Sequence, residues 1–384
     1  YPMNKFFVSL LCILLISSLT AQSQKDDKTW NVSDPGESWQ FDSFTLNTNE
    51  GTWMNLDVSP DGKNIVFDML GDIYIMPFKG GKAKALRTGI AFEIQPRFSP
   101  DGKQISFTSD AGGGDNIWTM DVDGSNAKQV TRENFRLLNN AVWSHDGNYL
   151  VARKHFTSGR SLGAGEMWMY HKSGGTGVQL TKRKNDQQDV NEPCLSKDGK
   201  YLYYSEDMYP GGYFQYNKDP NKQIYAIFRY SFEEGNIEFV TGGPGGAARP
   251  QVSDNGSHLA FVKRVREKSV LYIRNLNTAE EWPVYDQLNK DQQEAWAIFG
   301  VYPNFAWTPD NECIVIWAGG KFKKIKVFEN KVSDIPFEVN ATIKLAKTLE
   351  VDNPAHPEKY IARAIRQVAT SPDGKSIVFN AIGY

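Results

Sequence analysis

The tetrapeptide Ser-Pro-Asp-Gly is the feature that most constrains this chain. It occurs at residues 59–62, 99–102 and 371–374. Degenerate copies stand at 144–147, 196–199, 253–256 and 308–311, where Asn311 replaces the glycine. In the three full copies Pro presets φ, Asp bonds its own backbone and Gly takes a positive φ, the chemistry of a tight hairpin turn. Three and five residues beyond each turn lie Ile65 and Phe67, Ile105 and Phe107, Leu150 and Ala152, Leu202 and Tyr204, Leu259 and Phe261, Ile314 and Ile316, and Ile377 and Phe379. Alternate burial of this kind marks a strand with one face in a core. Val58, Phe98, Trp143, Leu195, Val252 and Trp307 immediately precede six of the turns, whereas Thr370 precedes the seventh. Successive copies recur at about 40 to 60 residues, the spacing of units of four strands. The expected fold is therefore all-β: a β-propeller of six or seven four-stranded blades, the last incomplete.

The second copy reads as a whole blade, with strands at 95–99, 104–109, 116–122 and 128–131. Residues 40–46 alternate like an extra strand and are expected to close the ring against a late blade. The one short helical candidate is 341–349. Residues 379–384 align with 67–72, so the chain is read as stopping inside a further blade. The boundaries that follow are a signal peptide over 3–21, an extension over 22–38, the propeller with its closing strand over 39–337, a connector over 338–365 and the start of a further blade over 366–384. The signal reading rests on Lys5, the apolar run 6–16 and the small residues up to Ala21. That run is too short to span a bilayer.

A 384-residue chain that is 40% hydrophobic and 13% aromatic can bury a large core. Its net charge of −2, with both signs scattered, excludes the electrostatics of a nucleic-acid binder. After signal removal only Cys194 and Cys313 remain, both at strand positions, and they read as small buried hydrophobes.

The Ser-Pro-Asp-Gly-Lys turns followed by Ile-x-Phe resemble the propeller repeats of TolB and of the tricorn protease, over roughly residues 53–384. TolB proteins carry an α/β domain before the propeller, whereas here only a short extension precedes it. The arrangement is closer to secreted bacterial proteins in which such a propeller precedes an amidohydrolase domain. That resemblance implies an exported, periplasmic or extracellular protein. It also implies a C-terminal catalytic domain with a divalent metal such as zinc, and a peptide or small amide substrate. No cofactor and no catalytic residue is assigned to this chain. The alternatives are a stand-alone propeller that binds a protein or glycan, and the propeller of a prolyl oligopeptidase-type or tricorn-like peptidase.

Other motifs weigh little. Residues 159–163 match G-x-S-x-G around Ser161, but that elbow needs a following helix, and 166–170 read as a strand. The five histidines, His145, His155, His171, His258 and His356, lack metal-ligand spacing. Residues 242–247 are glycine-rich without a helix start, and Asp121–Gly124 lacks the distal ligands of a calcium loop. Loops carry more. Those at 155–166 and 206–222 and the connection 286–302 gather Arg160, Tyr209, Tyr213, Phe214, Tyr216, Trp296, Phe299 and Tyr302 on one expected face, a candidate recognition surface.

Overall fold

A computed structural model describes residues 31–36, 39–134, 137–157, 163–211, 218–295, 297–348, 358–359 and 361–383. Among these residues there is no helix. The chain divides into two compact units, 1–345 and 346–384.

The first unit contains six antiparallel four-stranded sheets, spanning 56–87, 93–129, 138–179, 190–241, 248–285 and 306–335. These are complete blades, each made from one continuous stretch of chain. The turns behave as their chemistry requires. Gly62, Gly102, Gly147, Gly199 and Gly256 lie at φ between 65° and 73°, and Asn311 takes the same left-handed conformation at 62°. In the second turn Ser99 Oγ donates to Asp101 Oδ1 at 2.6 Å, and Gln104 N donates back to Ser99 Oγ at 2.9 Å. In the third, the hydrogen bond from Ser144 leads the effects that hold the exposed Asp146 carboxyl down at about 2.

All twelve residues of the alternating pairs in these six blades are fully buried. They pack blade against blade. Phe98, Ile105 and Phe107 meet Val66 and Ile73 of blade one. Val151 and Met167 of blade three meet Val190, Leu202 and Tyr204 of blade four. Each such side chain contributes about 1.5–3 kcal/mol relative to exposure. Burial grades outward: the inner strands Glu93–Phe98, Leu138–Trp143 and Ala248–Val252 are buried throughout, while the outer strand Gly174–Gln179 is largely exposed.

The ring closes by packing between blades one and six. Phe67 meets Phe322 edge-on at 5.0 Å, Leu56 N donates to Asn304 O at 3.1 Å, and Trp317 Nε1 donates to Gly51 O at 2.8 Å. The expected closing strand forms as Phe41–Thr48, but no late blade receives it. Its partner is the strand Phe337–Ala346 that leaves blade six, and that strand pairs parallel with Gly81–Lys82 of blade one. Blade six is already four-stranded and has no vacancy for it. The helical candidate at 341–349 lies largely within the strand Phe337–Ala346; Val339 is buried there, and exposed residues alternate around it.

Among its described residues the second unit holds a hairpin, Ala362–Thr370 with Ile377–Gly383. Its turn repeats the blade chemistry, with Gly374 at φ 68° and Ser371 Oγ donating to Asp373 Oδ1 at 2.5 Å. Its alternating pair departs from the other six: Ile377 is 61% exposed and Phe379 is 42% exposed. The signal reading over 3–21 lies outside the described residues. No described helix is long and apolar enough to cross a membrane.

Candidate functional site at the propeller axis

Four positions before each blade turn, within the inner strand or just ahead of it, stands a polar residue: Asn55, Gln95, Asn140, Glu192, Arg249 and Asn304. All are buried. Gln95, Asn140, Glu192 and Arg249 sit at φ 57–61°, where the strand bulges away from its neighbour. The bulge frees backbone groups and turns these side chains towards one another. Asp68 receives Asn55 N at 2.8 Å and Gln95 N at 2.7 Å, which staples blade one to blade two. Asn140 N donates to Gln95 Oε1 at 2.8 Å, and Arg249 Nη1 donates to both Asn140 Oδ1 and Asn304 Oδ1. Burial pushes Arg249 down to about 10.

The connection from blade five to blade six lies across this network. Asn191 donates to Ile298 O at 2.9 Å, Asn139 to Ile298 O at 3.1 Å and Gln95 to Phe299 O at 2.7 Å. Glu192 Oε1 accepts Val301 N at 2.5 Å, and Arg249 Nε donates to Tyr302 O at 2.7 Å. Gly300, at φ 111°, passes so close that a Cβ there would stand 1.9 Å from Arg249 Nη2. Blades two to five thus hold one loop across the axis.

That arrangement corrects part of the recognition-surface expectation. Tyr302 is 0% exposed; its hydroxyl donates to Trp317 O at 2.9 Å, and its ring meets Trp53. Phe299 is half-buried against Phe92 and holds its carbonyl on the axial network. Tyr209 is buried, with its N–H on Asp207 Oδ1 at 2.9 Å. A polar connection containing aromatics reads as surface in one dimension, but here its carbonyls satisfy buried donors. Arg160, Tyr213, Phe214, Tyr216 and Trp296 lie outside the described residues. The expected loop at 155–166 is shorter than it reads, because the ladder continues through Thr157 opposite Gly163. Ser161 also lies outside the described residues, and the segment after it is the strand Gly163–His171 rather than a helix. The axial polar residues themselves were not singled out from sequence. Their signal is a polar side chain recurring four positions before each blade turn.

The opposite end of the axis is open. A cavity of about 180 Å³ is lined by the residues two before the turn, Asp57, Arg97, Val142, Cys194, Gln251 and Ala306, and by the turns beyond them. The six blade turns therefore share one end of the axis. Asp57 lies 3.5 Å from Arg97 and accepts Phe98 N at 2.9 Å; burial nevertheless raises its carboxyl above the usual range. Cys194 Sγ accepts Val252 N at 3.3 Å, and burial pushes its thiol up to about 11, which makes it an inert wall residue. Cys194 and Cys313 are both free and buried. Among the described residues no group of three or more His, Cys, Asp or Glu is arranged to hold a metal ion.

Residues 45–214 match the family described as the TolB beta propeller domain. The chain is 27% identical over 159 residues to the Tol-Pal system protein TolB of Helicobacter hepaticus, covering 40% of this chain and 37% of that protein. It is 30% identical over 156 residues to the uncharacterized peptidase YuxL of Bacillus subtilis, covering 39% of this chain and 21% of that protein. The chain thus spans little more than a third of one of these relatives and about a fifth of the other. Among solved structures, TolB from Acinetobacter baumannii superposes with a TM-score of 0.55 at 16% identity, over 76% of this chain and 64% of that one. Six blades built on one repeated turn make this chain a β-propeller, and over residues 45–214 it is similar to the TolB beta propeller domain.

Proposed function

We propose that this chain is the non-catalytic propeller region of a longer exported hydrolase. Its partner is a C-terminal metal-dependent amidohydrolase domain of the same protein, acting on a peptide or small amide. The propeller supports that domain or gates access to it. The observation that carries this reading is the hairpin Ala362–Gly383. It repeats the inner half of a blade, down to Gln367 at φ 56° four residues before its turn, yet leaves Ile365, Val368, Ile377 and Val378 exposed. Exposed apolar strands in a two-stranded sheet call for a covering layer. The likeness to a peptidase of which the matched segment is 21% supports the same view. Because the loop 286–302 crosses the axis, support and docking fit this propeller better than passage of substrate along its axis.

Amide hydrolysis by the 384-residue chain and by the full product of its reading frame, each with and without added zinc, tests the reading. The expected outcome is metal-dependent turnover confined to the longer protein. Turnover by the 384-residue chain, or a reading frame that closes within one further blade, would overturn it. A frame closing there would favour the stand-alone binding propeller.

A further inference from the structure

The end of the axis shared by the six blade turns carries two hydrogen-bond donors that no described residue satisfies. Arg97 Nε and Gln251 Nε2 are buried without partners, in side chains whose residues are 7% and 6% exposed. Both residues line the same cavity. A buried donor left unmade is costly, so two in one cavity require an account. Several neighbouring groups of the inner wall are engaged. Asp57 takes Phe98 N and faces Arg97, Cys194 takes Val252 N, and the indoles of Trp143 and Trp307 donate to Arg97 O and Gln251 O. At the rim, Lys197 lies 3.4 Å from Asp254. The two unmet donors remain, one of them on a cationic side chain. Arg97 belongs to blade two and Gln251 to blade five, which stand opposite one another in a ring of six.

We infer that this cavity binds a small carboxylate carrying a second acceptor at its far end. The carboxylate sits on Arg97, and the second acceptor takes Gln251 Nε2. A free dicarboxylate and the carboxyl terminus of a peptide share this chemistry. Val142, Ala306 and the two indoles supply an apolar wall for the short chain between the two ends. This inference stands apart from the hydrolase reading, since it uses only the six closed blades.

Calorimetric titration of the 384-residue chain with succinate, with N-acetylglycylglycine and with uncharged succinamide tests it. The expected result is saturable binding of one carboxylate probe per chain with a dissociation constant below about 1 mM, and none of succinamide. Succinate alone binding would identify a free dicarboxylate, and the peptide alone a chain terminus. Gln251→Leu and Arg97→Lys should each weaken binding about tenfold or more. Thermal melts report whether each variant folds. Should Arg97→Lys fail to fold because Asp57 loses its partner, Gln251→Leu and Gln251→Glu carry the test, the latter abolishing binding by presenting an acceptor. No binding of either carboxylate, equal binding of succinamide, or affinity unchanged in the Gln251 variants would overturn the inference.

Discussion

Arg249 Nε lies 3.3 Å from Glu192 Oε1 at the propeller axis, and neither side chain is exposed to solvent. The pair joins blade four to blade five. Through the backbone of Val301 and Tyr302 it also fastens the loop that crosses the axis. Removing one partner strands the other charge in the interior. Arg249→Met should therefore cost about 3–5 kcal/mol of stability, with the double variant Glu192→Gln/Arg249→Met recovering part of that loss. Denaturant unfolding of the two variants checks both the size and the non-additivity.

Gly300→Ala should loosen the same loop from its own side. The position needs φ 111°, and the added methyl would stand against the Arg249 guanidinium. Strain at such a backbone costs about 1–3 kcal/mol. Limited proteolysis should show earlier cleavage within 286–302, while the blade turns keep their resistance.

Asp68 predicts a pH dependence. Burial raises its carboxyl from 3.8 to about 7, against hydrogen bonds from Gln95 and Asn55 that pull it back down. A carboxyl with a folded pKa above its unfolded one takes up a proton on folding between those two values. Its contribution therefore makes stability fall as pH rises through that window and level off above it. The slope is at most about 1.4 kcal/mol per pH unit. Asp68→Asn should flatten the corresponding part of the melting-temperature profile between those pH values. An unchanged slope would show that the carboxylate is ionised throughout, held by its donors.

The hairpin of the second unit should open first. Its strands have one partner each, and its alternating pair is exposed, whereas Ile105 and Phe107 lie between blades with no exposure. Amides of Ile377 and Phe379 should exchange faster than those of Ile105 and Phe107 in peptide-resolved hydrogen exchange. Equal protection would mean that the hairpin is covered in solution.

The blades were legible in the sequence because their determinants are local. Ser99, Asp101 and Gly102 close a turn with bonds that span five residues or fewer, and Ile105 and Phe107 report the burial of the strand they belong to. The same locality misled the reading at Tyr302 and Phe299, where aromatics in a polar connection were expected to face solvent. Their partners are Trp317, Gln95 and Arg249, brought beside them only when six blades close a ring. Asp57 and Arg97 are 40 residues apart in the chain yet share one cavity with Gln251, because every blade contributes the same strand position to the axis. Sequence by itself determined the repeating unit, since a turn and an alternating strand are set by neighbouring residues. Tertiary structure decided what the axis holds, because a buried polar side chain takes its role from whatever distant groups satisfy it, and the ring alone chooses those groups.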